Sequence, residues 1–216
     1  MNIEIRKLTP DLAEDYARFF DTTPHNETGS GTKCYCIVFC RDHVYRNGGS
    51  HWYPSPEERR LHGIGRVRDG DIQGYLAYYH GEIVGWCNAN TKSDCQEAMK
   101  YMRSVGIPVE ECRAEEKGKF VFCFVIAPKM RRMGIARQLL EYICQDAAAD
   151  GFDFIEAQTY KKLTGDGFQG PLTLYEKCGF DVRAGNDGYH DGTSLCEGRW
   201  DVEIFCFGKH PRNVYK

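Results

Sequence analysis

Residues 120–137 read Phe120-Val121-Phe122-Cys123-Phe124-Val125-Ile126-Ala127-Pro128-Lys129-Met130-Arg131-Arg132-Met133-Gly134-Ile135-Ala136-Arg137. The apolar run Phe120 to Ala127 is far below the roughly 20 residues of a membrane span, so it reads as a strand buried on both faces at the centre of a sheet. A loop follows, and a helix begins inside it, with Ile135, Leu139, Leu140, Ile143 and Ala147 on one face as far as Asp150. The first turn of such a helix exposes N–H groups at the positive end of its dipole, which suits a phosphate or pyrophosphate. Gly134 and Ala136 carry no large side chain to keep a ligand from the backbone. Lys129, Arg131, Arg132 and Arg137 face a single acid, Glu141, over residues 127–141. Neither Gly-x-Gly-x-x-Gly nor Gly-x-x-x-x-Gly-Lys-Ser/Thr is present, which removes the dinucleotide and triphosphate loops. On the loop alone, a solvated arginine face with an incidental glycine explains the pattern equally well.

The elements on either side change that balance. Upstream, residues 2–8 alternate with period two, and Leu12 to Phe20 follows as a helix opened by Pro10-Asp11. A loop-rich segment spans 21–54, with Cys34-Tyr35-Cys36-Ile37-Val38-Phe39-Cys40 at its apolar centre. Ser55-Pro56-Glu57-Glu58 is a capped helix start leading to Val67, with acids near the positive dipole end. Residues 73–80 and 82–90 flank His80-Gly81 as a hairpin. Residues 91–118 form an insertion whose Asp94 to Val105 has helical spacing. Downstream, 152–160 is a strand, 171–178 a short helix stopped by Gly179, and 180–183 and 200–207 are two last strands. The expected fold is mixed α/β over one domain, 1–216.

Composition narrows the function. The 216 residues carry 28 Lys plus Arg against 31 Asp plus Glu, a net charge of -3, so there is no basic field for nucleic acid. The N-terminal residues show no basic start followed by an apolar stretch, so a cytoplasmic location is expected, with no membrane partner. Eleven cysteines are an odd number and too sparse for a disulfide scaffold, so most read as reduced and buried.

Two motifs in order give a resemblance. Val125-Ile126-Ala127-Pro128 followed by Arg131-Arg132-Met133-Gly134-Ile135-Ala136 resembles the strand and Arg/Gln-x-x-Gly-x-Gly/Ala loop of the GNAT superfamily of N-acetyltransferases. Leu174-Tyr175-Glu176-Lys177-Cys178-Gly179-Phe180 resembles its second signature. The resemblance implies a central, mostly antiparallel, splayed mixed sheet flanked by helices, with acetyl-CoA as the acetyl donor. It implies that Val125 and Ile126 pair with the pantetheine arm, and that the N–H groups of Arg131, Arg132, Met133, Gly134, Ile135, Ala136 and Arg137 hold the pyrophosphate. Tyr175 is then the general acid for the departing thiolate, a task its phenol suits. The acceptor is a primary amine on a small molecule or peptide, attacked directly in a ternary complex, and a homodimer is open.

Departures set the questions. Phe168 stands where the family commonly has a cofactor-holding asparagine, and Phe120 to Phe122 offer no base. Glu156, mid-strand in Phe154-Ile155-Glu156-Ala157-Gln158, is a candidate base; the competing reading is a place on the solvent side of a half-exposed strand or a structural ion pair. Ala184 to Gly198 is a polar loop expected, with 91–118, to shape the acceptor pocket or an oligomer contact. Cys34-x-Cys36-x-x-x-Cys40-x-x-His43 has zinc-ligating residue types at an uncommon spacing, so no metal is assigned; an apolar plug or a redox-sensitive thiol pair are the other readings. The rival functions are a CoA-binding sensor without turnover and a zinc or thiol regulator.

Overall fold

The computed structural model describes residues 1–23, 33–42, 55–104, 109, 111, 115–160, 168–186 and 204–209. In chain order the elements are β1 (Glu4–Lys7), α1 (Ala13–Thr22), α2 (Pro56–Arg68), β2 (Gly74–Tyr79), β3 (Glu82–Thr91), α3 (Gln96–Ser104), β4 (Gly118–Ile126), α4 (Ile135–Ala149), β5 (Phe154–Tyr160), α5 (Leu172–Lys177), β6 (Asp181–Asn186) and β7 (Ile204–Lys209). One seven-stranded sheet joins them in the order β1-β2-β3-β4-β5-β7-β6. Only β4 and β5 run parallel; the other neighbours are antiparallel. Among the described residues no helix is long and apolar enough to cross a membrane.

The apolar run at 120–127 is the middle strand, as its two-sided burial demands. On one face α4 lays Leu139, Leu140, Ile143 and Ala147 against Tyr75, Ala77, Cys87, Val121 and Ile155, all buried. On the other face α1 and α2 bring Tyr16, Phe20, Ile64 and Val67 to Leu76, Trp86, Cys123 and Val125. Each large aliphatic side chain so buried contributes roughly 1.5–3 kcal/mol. A third cluster packs Met99 and Met102 of α3 on Phe120 and Phe122, which gives the insertion at 91–118 a place beside the central strand.

A β-bulge in β4 decides what faces where. Asn88 pairs with Cys123 and Ala89 with Val121, so Phe122 is the extra residue. The alternation changes phase there: Val121 faces α4, yet after the bulge Phe124 faces α4 and Cys123 and Val125 turn to α1 and α2.

The ladder between β4 and β5 runs only from Gly118/Phe154 to Val121/Ala157, and β4 continues to Ile126 without it. That divergence is the splay.

The expected elements differ mainly at their ends. The last strand is described from Ile204 to Lys209, residues 200–203 lying outside the described residues, and β6 extends to Asn186, taking the first residues of the loop expected at 184–198. The rest of that loop lies outside the described residues, as do 24–32 and 43–54 of the loop-rich segment, with His43.

Candidate active site

The chain leaves β4 through a 3-10 turn, Pro128–Met130, and reaches α4 through Arg132 and Gly134, both left-handed at φ 61° and 81° on either side of Met133. Left-handed residues next to a right-handed one turn successive N–H groups towards one concave side, a geometry that binds anions. Gly134 is the N-cap of α4 and provides no side-chain cap, and the first turn holds no acid. The contrast with α2 is direct. There Ser55 and Glu58 satisfy each other's backbone N–H groups in a capping box, which consumes two donors internally. The N-terminus of α4 has no such side-chain partner.

A cavity of about 580 Å³ opens at this point and runs along the splay. Val125, Ile126, Arg131, Arg132, Gly134, Ile135, Ala136 and Arg137 all line it. Met133 does not; its side chain is half exposed at the rim. The basic lining residues are Arg131, Arg132, Arg137 and Lys177, with no carboxylate among the lining residues. Arg131 Nε donates to the Ile126 carbonyl at 3.2 Å and Arg137 Nε to Glu141 at 2.8 Å, so both guanidiniums are oriented. A Cβ on Gly134 would meet nothing within 4 Å, and the space beside the N-cap is therefore open to a bound group.

The backbone of β4 refines the strand contact. Phe124 N–H points into the splay, while Ala127 N–H donates back to Val84 of β3 at 2.9 Å. Alternation then turns the Ile126 amide into the cleft and the Val125 amide towards β3. Phe124, which the motif match did not single out, also lines the cavity, but its N–H is taken by the Phe168 carbonyl, so the Ile126 amide is the one left facing the cleft beside the Val125 wall.

Three consecutive carbonyls bridge the open end. Phe168 O accepts from Phe124 N–H at 2.6 Å, Gln169 O from the Tyr175 hydroxyl at 2.6 Å, and Gly170 O from the Thr159 hydroxyl. Residues 168–170 thereby tie β4, α5 and β5 across the splay. Phe168 meets the cavity in place of an asparagine, and its main chain makes the contact to β4. Tyr175 is fully buried behind this bridge and does not line the cavity; burial pushes its phenol well above the usual range, so it stays protonated. On α5 the cavity face is Thr173, Leu174 and Lys177, the helical neighbours of one another. Lys177 was visible in the second motif, but only the helix phase distinguishes its face from that of Tyr175.

Glu156 pairs with Phe120 in the ladder, just before the splay opens, and forms an ion pair with Lys92, both buried. The structural pairing weighed against a base is therefore present. On the same side, Phe39 stacks on Phe122 at 4.7 Å and 14°, with Phe168 6.4 Å from Phe39. The cysteine-rich segment closes that face: Cys36 and Cys40 are buried and Cys34 half-buried. Cys40 Sγ contacts the Ile37 carbonyl and Cys36 Sγ contacts Cys123, so these two sulfurs are engaged with different partners.

The profile of the acetyltransferase (GNAT) family matches residues 38–180, well over half of the chain. The chain belongs to the GNAT family. It is thus an acyltransferase of a family that uses acetyl-CoA, and the phosphate cradle, cations and cleft just described fit that donor. Among curated proteins no relative matches. Solved structures share the GNAT fold at low identity. The polyamine N-acetyltransferase of Drosophila melanogaster, which catalyses the formation of N-acetylagmatine, has a TM-score of 0.59 and 16% identity, covering 97% of this chain and 100% of its own. A GNAT acetyltransferase of Streptococcus pneumoniae gives 0.55 and 16%, covering 97% and 99%. The protein yncA of Salmonella typhimurium, solved with its cofactor acetyl-CoA, gives 0.53 and 12%, covering 99% and 96%.

Proposed function

We propose that this chain moves the acetyl group of acetyl-CoA to a primary amine of a small molecule or peptide, by direct attack while both substrates are bound. The observation that carries the proposal is the cavity running from the β4–β5 splay to the uncapped N-terminus of α4, whose described lining includes four cations and no acid. Acetyl-CoA supplies an acetyl group already activated as a thioester, so no covalent intermediate on the enzyme is required.

The N–H groups from Arg131 to Arg137 bind the pyrophosphate, and Arg131, Arg132, Arg137 and Lys177 offset its charge. Met133 contributes its backbone only. The Ile126 N–H pairs with the pantetheine arm as a further strand would, with Val125 behind it and the Phe124 N–H held by Phe168. Tyr175, with its phenol pushed up by burial, is the general acid for the departing sulfur, and to reach the cavity its hydroxyl must first leave the Gln169 carbonyl. Glu156 holds Lys92 and accepts the amine's proton by relay. The single sheet from residue 4 to residue 209 supports reading 1–216 as one domain. The agmatine-derived product of the Drosophila enzyme supports small amines as the first acceptors to try.

The test is release of free CoA thiol with acetyl-CoA and a panel of primary amines and peptides. Amine-dependent release is expected. A protein that binds CoA yet releases no thiol with any amine would overturn the transfer reading.

A further inference from the structure

Two cysteines that acetyl transfer does not use meet against the central strand. Cys36 Sγ lies 3.1 Å from Cys123 Sγ, with the two residues 4% and 2% exposed. Asn88 Nδ2 donates to Cys36 Sγ at 3.2 Å. The backbone is bent to place Cys36 there: Tyr35 and Cys36 both take left-handed conformations, φ 46° and 45°, although neither is glycine. Such strain persists only where surroundings enforce it. Here the Tyr16 hydroxyl donates to the Tyr35 carbonyl, Arg66 to the Ile37 carbonyl, and Asn88 Nδ2 to the Phe39 carbonyl at 2.9 Å.

We propose that Cys36 and Cys123 are a redox modification site, forming a reversible disulfide that links the 33–42 segment to β4. Burial pushes the Cys36 thiol up, but the donors against it, Cys123 and Asn88 among them, outweigh burial and bring it below its ordinary value. The hydrogen bond to Cys36, then burial, push Cys123 up. Cys36 is the attacking sulfur of the pair. With hydrogen peroxide as oxidant, the Cys36 thiolate attacks one oxygen, the O–O bond breaks, and hydroxide leaves and takes up a proton as water. Cys36 is then a sulfenic acid. Cys123 sulfur attacks it, the S–O bond breaks, and hydroxide leaves with the Cys123 proton as a second water. Both thiols have together lost two electrons and peroxide has gained them. A disulfide needs ~2.05 Å, so the sulfurs close by about 1 Å. That closure acts on the residue immediately before Phe124, whose N–H holds the Phe168 carbonyl at the edge of the cleft.

The test treats the full reduced chain with hydrogen peroxide, alkylates remaining thiols after denaturation, and maps linked peptides by mass spectrometry without reduction. The expected result is a Cys36–Cys123 cross-linked peptide, with two of the eleven thiols protected and both returned by a dithiol. In Cys123→Ser, a sulfenic acid at Cys36 should be captured by dimedone; in Cys36→Ser, Cys123 should stay reduced. Oxidation confined to the half-exposed Cys34, a link from either cysteine to another partner, or full alkylation of both would overturn the proposal. The readout is the covalent state, so it stands or fails independently of acetyl transfer.

Discussion

Gly134 combines a left-handed backbone, φ 81°, with open space at the helix start. Gly134→Glu adds roughly 1–2 kcal/mol of backbone strain and sets a negative charge where a pyrophosphate approaches. Acetyl-CoA affinity should fall by about 100-fold or more, equivalent to at least ~2.7 kcal/mol, with a native circular dichroism spectrum. Gly134→Asn, which tolerates the same backbone, should lose far less; equal losses in titration calorimetry would mean that strain, and not the ligand, sets the effect. Tyr175→Phe removes one hydroxyl and leaves the buried Gln169 carbonyl without that donor. Stability should drop by roughly 1–3 kcal/mol. If the hydroxyl also protonates the thiolate, kcat should fall by about 10²-fold with little change in acetyl-CoA affinity. A variant that loses stability but keeps kcat would return Tyr175 to holding the 168–170 bridge.

The Lys92–Glu156 pair joins the turn after β3 to β5, reaching across β4. Removing one charge leaves the other buried without its counter-ion, which costs about 3–5 kcal/mol when the rest of the site cannot adjust. Glu156→Gln should therefore lower the urea midpoint markedly. Lys92→Met combined with Glu156→Leu should recover most of that loss, because the pair's desolvation disappears with its attraction. Activity in the double variant decides the chemical role. If Glu156 relays the amine's proton, the rate stays low and its acidic pH limb changes even though stability has returned; a restored rate assigns Glu156 to structure alone.

For the whole molecule, ligand and proton linkage give two checks. Acetyl-CoA at a hundredfold excess over its dissociation constant should stabilise the fold by ~2.7 kcal/mol, while ATP or NAD does much less. A thermal shift indifferent to CoA would sink the cavity assignment. Lys119 gives the pH check. It is buried on the α4 face, with its ammonium 4.4 Å from the Phe152 ring centroid, and burial followed by the nearby Lys7 pushes it down to about 8. Between pH 8 and about 10.4 the unfolded chain therefore binds more protons than the folded one, so this group makes stability rise with pH across that window. Below pH 8 the cost of the buried charge is complete. Lys119→Met should stabilise the protein at pH 7 by on the order of 3 kcal/mol and flatten the rise, measured by urea unfolding at pH 7 and pH 10.

The element order, the central position of 120–127 and the loop that opens α4 were legible in the sequence because each rests on local physics. Apolar runs, capping residues and a glycine at a helix start act within a few residues of one another. The same holds for most of the proposed phosphate cradle, which one contiguous stretch supplies. What only the tertiary structure decided concerns partners distant along the chain. The bulge at Phe122 appears only when β3 is laid beside β4, since an uninterrupted apolar run carries no alternation to reveal a change of phase. The facing of Tyr175 away from the cavity depends on how α5 packs on Phe124 and Phe180. Glu156 finds Lys92, and Cys36 finds Cys123, across 64 and 87 residues of sequence. Periodicity describes which face a residue takes on its own element; the sheet decides what that face meets.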